Sequence, residues 1–203
     1  MELEVLLRTR QEAEALAEEL DPADFHWLIG LLGEKNNEIR YAAFLLLAQR
    51  SRTHGDIYPL WDTLAEKLNS GNSYQRSIGV MLLCENVRWD RENRLQAIWP
   101  RYAACFRDEK FITARQAIQS LKVWLAQRPD MHEAVYGALT AIQPASLPGT
   151  QRKLILADII EALLLMRETA QDGKAAAYLM QALDSGLLDK KEREALRKRL
   201  GIV

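Results

Sequence analysis

The sequence predicts an all-α fold, a solenoid of stacked helix pairs. Apolar residues recur at three- and four-residue spacing in segment after segment, and no stretch alternates as a strand does. Short breakers carrying Asn, Asp, Gly or Pro separate these segments. An arginine stands near the start of each second helix, at Arg40, Arg76, Arg115 and Arg152, with separations of 36, 39 and 37 residues. Four aromatics, Trp27, Trp61, Trp99 and Tyr136, mark the first helices in a parallel series. Two series with one period are the mark of a repeat array.

The elements follow in order. Leu3, Leu6, Ala13, Leu16, Ala17 and Leu20 give residues 1–20 helical spacing, so this segment reads as an N-terminal capping helix. Asp21-Pro22 supplies a helix N-cap and then a proline in the first turn, where its missing N–H is not needed. Phe25, Leu28, Ile29 and Leu32 form one apolar face, and the run Gly33 to Asn36 ends the helix. Residues 37–52 form the partner helix. The pair recurs as 56–68 (with Pro59 in its opening turn) and 73–89, as 93–106 and 110–127, and as 130–142 and 150–169. Residues 21–169 thus hold four pairs. Residues 170–203 hold a C-terminal capping pair, 173–184 and 189–200, in which Asp189 and Glu192 have capping-box spacing. No pair can bury its apolar face alone, so residues 1–203 are expected to form a single repeat domain of ten or eleven helices.

Composition sets limits. The chain has 203 residues, 48% apolar and 27% charged, which is ordinary for a globular protein and excludes disordered and disulfide-scaffold classes. Twenty-eight acids against 27 bases give a net charge of −1, which argues against a wholesale nucleic-acid or polybasic membrane binder. Glu2 and Glu4 replace the basic start of a secretory signal, and the longest apolar runs fall far short of the roughly 20 residues of a spanning helix. A soluble, cytoplasmic protein with no membrane partner is expected. Cys84 and Cys105 lie 21 apart with no C-x-x-C, so they are expected to be buried free thiols.

A proline in the first helix (Pro59, Pro100), an Asn or Asp in the turn (Asn36, Asp108) and an arginine opening an apolar second helix resemble HEAT repeats. The tetratricopeptide pattern W-x-x-L-G is absent. The segments from Asn72 to Gly79, Arg88 to Asn93 and Asp108 to Gln116 are similar to a group of small bacterial HEAT-type proteins. The resemblance implies a right-handed α–α superhelix of about five armadillo-type helix pairs, with second helices on the concave side. Some members of that group carry labels pointing to iron–sulfur assembly, but two isolated cysteines cannot make a four-cysteine site.

No phosphate-binding loop, dinucleotide fingerprint, nucleophile elbow or zinc-protease helix occurs. His26, His54 and His132 are scattered, and Asp158 and Glu161 share one helix face at i, i+3 spacing, as a solvated face does. No catalytic residue, cofactor or metal ligand is therefore expected. The arginine series has two readings. In one, each guanidinium bridges the turn of its own repeat to an acid or a carbonyl. In the other, Arg40, Arg76, Arg115 and Arg152, joined by Lys110, form a ridge for a phosphate backbone or an acidic peptide. Trp89, in the polar run Arg88-Trp89-Asp90-Arg91, is the aromatic expected to meet a partner. Residues 1–24 hold eight acids and two bases, whereas residues 189–203 hold three acids and six bases, a distribution suited to head-to-tail contact or to two solvated caps. The expectation is a non-enzymatic scaffold for a protein or peptide. The alternative is nucleic-acid binding in the manner of HEAT-like DNA alkylation repair proteins, with Trp124 and Asp130 as the nearest base-site pair.

Overall fold

A computed structural model of the chain describes residues 3–6, 9–170 and 173–202. Every regular element among them is helical. The chain divides into two compact units, residues 1–105 and 106–203. No helix of the described residues is long and apolar enough to cross a membrane.

The first unit holds α1 (Leu3–Leu6), α2 (Thr9–Glu18), α3 (Pro22–Leu31), α4 (Asn37–Thr53), α5 (Trp61–Glu66), α6 (Ser73–Asn86) and α7 (Arg94–Ala104). Glu12 leaves helical geometry inside α2 (φ −125°), so the expected single helix over 1–20 is broken there. The start of α3 is local chemistry. Asp21 accepts from the Ala23 and Asp24 amides, Asp24 answers the Asp21 amide, and Pro22 sits in the first turn. Asn36 and Asn72 cap α4 and α6 in the same way, each accepting from the amide two residues on. Asp90 does this work at longer range: it accepts from the Arg94 and Leu95 amides at the start of α7 and from the Tyr58 hydroxyl.

The expected helix over 56–68 is split. Pro59 lies in a 3-10 turn, Tyr58–Leu60, ahead of α5, and a second such turn, Lys67–Asn69, ends it. Pro59 is the middle residue of the first of these turns, and α5 begins two residues after it. Helices α2, α3 and α6 all pack on α4, and α5 packs on α6. Leu16, Leu20, Phe25, Leu28, Leu46, Leu47, Trp61, Leu64, Leu82 and Leu83 fill the space between them.

The second unit holds α8 (Phe111–Gln119), α9 (His132–Thr140), α10 (Gly149–Ala170), α11 (Gly173–Asp184) and α12 (Lys190–Leu200). The expected helix over 110–127 is also interrupted. Trp124 is drawn into the core at 1% exposure, and its backbone leaves the helical region (φ −131°) between two 3-10 turns. Helix α10 is the axis of this unit: α8, α9 and α11 pack on it, and α12 packs on α11. Ile155, Ile159, Leu163 and Met166 of α10 are buried, as are Ala117, Ile118, Leu121, Leu125, Val135 and Leu179 of the elements packed on it. The capping box at Asp189 and Glu192 forms as its spacing predicts.

Candidate functional site

Arg40 donates to the carbonyl of Glu34 at 2.7 Å and to the Asn37 side chain, in its own turn. Arg76 repeats the geometry with the carbonyl of Ser70, also six residues back and also at 2.7 Å. Arg152 reaches the Leu147 carbonyl, five residues back. These three arginines close the turn that precedes their own helix. A charged donor on a carbonyl holds a loop that would otherwise fray, at about 1.5–3 kcal/mol when shielded from water and less at these partly exposed sites.

Arg115 departs from the pattern. It reaches across to α10, where Nε and Nη2 grip the two oxygens of Asp158 at 2.6 and 3.0 Å, while Gln119 donates to the same carboxylate at 2.8 Å. Asp158 is 9% exposed, so this carboxylate is removed from the solvated face that its spacing to Glu161 suggests. The Asp158 hydrogen bond holds Arg115 even more firmly protonated than an ordinary arginine. Lys110 is exposed on the turn before α8, with its backbone amide held by Asp108.

Trp89 is half-buried. Its indole N–H donates to the Ser51 carbonyl at 2.7 Å, and its ring lies so close to Gly55 that a Cβ there would stand 3.1 Å from it. Its polar edge is spent on tying the end of α6 to the end of α4. The same junction holds Arg50, which donates to the last carbonyls of α2, at Ala17 and Glu18, and pairs with Asp56 at 2.6 Å. Trp61 is fully buried, whereas Trp27, Trp99 and Tyr136 are half-buried. Trp124 is sealed in the core, and Asp130 is held by Arg128, whose hydrogen bond lowers the acid's pKa. Cys84 and Cys105 are buried and unbridged, as expected.

Asp158 and its partner Gln119 lie in the lining of a groove of about 610 Å³ on the second unit. Ile118, Ala162 and Leu165 give it an apolar floor, and Lys122, Glu161, Glu168 and Arg199 give it charged walls. Arg199 places Nη1 at 2.8 Å from both oxygens of Glu161 and Nη2 at 3.3 Å from Glu168. The floor and acids of α10 fall at helical spacing along one side, so a single helix presents the whole strip. Its acids are paired with cations. Among the described residues no cluster of His, Cys, Asp and Glu has the form of a metal site. The arrangement suits binding of an extended surface with both apolar and charged groups. Sequence reading missed the groove because Asp158 meets Arg115 across 43 residues of chain.

No family model, curated protein or solved structure matches the chain. The fold and the groove define the class only as an all-helical protein of two compact units with a mixed apolar and charged strip on α10.

Proposed function

We propose that the chain is a non-enzymatic scaffold that binds a protein or peptide in the cytoplasm, built from HEAT-like helix pairs wound as a right-handed solenoid. One observation carries the choice of ligand class. The arginines that would make a phosphate ridge are folded onto turn carbonyls at Glu34, Ser70 and Leu147 and onto Asp158. A phosphate backbone would have to compete with those contacts. The α10 groove offers a polypeptide both apolar floor and charged walls.

The test is capture from native lysate by wild-type protein and by a Leu165→Asp, Glu168→Lys double variant, each with and without nuclease. The expected result is a stoichiometric protein partner that survives nuclease and is lost with the variant. Capture of nucleic acid, lost on nuclease treatment and weakened by salt, would replace this reading with phosphate binding and direct attention to Lys110.

A further inference from the structure

Helix α12 carries six bases against two acids. Leu196 faces the core, and Arg199 is bound to Glu161 and Glu168. Lys190, Arg193 and Arg197 fall at i, i+3 and i+7, so they stand in one row about 10 Å long. That row walls a second groove of about 360 Å³ whose apolar lining is Met180 and Leu183 of α11 together with Ile202. Met180 is 48% exposed there. Lys190 has Glu194 at 4.0 Å, a weak surface pair, and Asp184 completes the rim. Arg193 and Arg197 make no side-chain hydrogen bond or ion pair among the described residues. Two guanidiniums beside exposed apolar surface are open to an incoming carboxylate, whose geometry arginine's fork matches.

The complementary surface lies on this same chain. Residues 12–24 hold six acids and no base. Glu14 and Glu19 are exposed and, unlike Glu18, which meets His54 and Thr53, are in no ion pair among the described residues. Ala15 is exposed between them and offers a flat apolar contact.

We infer that the Arg193–Arg197 groove of one copy receives the acidic α2 segment of a second copy. The contact joins two different surfaces, so a pair of copies still has one free surface of each kind. Association is therefore head-to-tail and continues through a ladder of species until a ring closes. It is also electrostatic, and it weakens as the screening length shrinks with salt. The inference is independent of the proposed partner in the α10 groove.

Sedimentation velocity on the full chain tests it. The expected result at about 0.05 M salt is a weight-average mass that rises with protein concentration, with association about tenfold weaker at about 0.5 M salt. An Arg193→Glu, Arg197→Glu variant and a Glu14→Arg, Glu19→Arg variant should each stay monomeric at equal helical content. Mixing the two should restore association, because each then offers the surface that fits the other. Four results would overturn the inference: a monomeric wild type at every concentration, association insensitive to either charge reversal, no rescue on mixing, or a monomer whose α12 binds anionic vesicles instead.

Discussion

Arg115 holds Asp158 through two parallel donors, Nε at 2.6 Å and Nη2 at 3.0 Å, and so fixes α8 to α10 by a fork that only a planar guanidinium can make. Replacing Asp158 with Ala leaves that fork and the Gln119 amide without their acceptor. The expected loss is about 2–3 kcal/mol, below the range for a fully buried pair because the Arg115 side chain is 23% exposed. Arg115→Lys should fall well short of wild type, since one ammonium cannot span both oxygens. Urea unfolding measures both, and a loss under about 0.5 kcal/mol for Asp158→Ala would put the pair among ordinary surface contacts.

Tyr58 gives the pH test. Burial, then its hydrogen bond to Asp90, pushes its phenol up to about 12 from the ordinary 10.0. A raised folded-state pKa favours the protonated form, so its contribution to stability is complete below pH 10 and is lost as pH climbs from there towards 12. Ultraviolet titration of wild type and Asp90→Asn measures this: the absorbance of one tyrosine should move from the late part of the curve to an earlier part in the variant, while Tyr178, also raised by burial, stays where it is.

Two glycines separate packing from propensity. Gly79 lies in α6, where an added Cβ would stand 2.9 Å from the Lys67 Cβ and 3.1 Å from the Leu64 carbonyl. That carbonyl is backbone and cannot yield, so Gly79→Ala should destabilise by about 1–2 kcal/mol despite the better helix former. Gly137 lies inside α9 with nothing within 4 Å of the added atom. Gly137→Ala should stabilise by about 0.5–1 kcal/mol. Thermal unfolding of the two variants should move in opposite directions.

The two thiols should be silent in the native state. Cys84 is 1% exposed, with Sγ 3.0 Å from the Tyr102 hydroxyl, and Cys105 is 4% exposed. Their labelling rate with a thiol reagent should follow the opening of the first unit and should rise with urea in parallel with that opening. Rapid labelling of either under native conditions would contradict their burial.

What the sequence made legible was chemistry that acts within a few residues. The caps at Asp21 and Asp189 were readable because side chain and amide lie two or three positions apart, whereas Asn36 and Asn72, which cap α4 and α6 at the same spacing, read only as turn residues. The arginine series was readable as a register, but its two uses were not separable. Arg40 and Arg76 turn back six residues, whereas Arg115, at the same place in the period, crosses to another helix. The interruptions near Pro59 and Trp124 were hidden for different reasons. A proline in a first turn reads as a helix start, and the burial of Trp124 is a tertiary demand that overrides local helical spacing. Trp89 looked exposed because its neighbours are charged, yet its N–H serves Ser51, 38 residues away.

Asp90 ties the start of α7 to Tyr58, since one carboxylate serves two amides and one hydroxyl. The amide protons of Arg94 and Leu95 are therefore clocks for an event elsewhere in the chain. Their exchange with deuterium should quicken when Tyr58→Phe frees Asp90 to move, although that substitution leaves α7 itself untouched. Tyr58, 32 residues before Asp90, then sets the lifetime of the first turn of this helix, and that lifetime can be followed proton by proton.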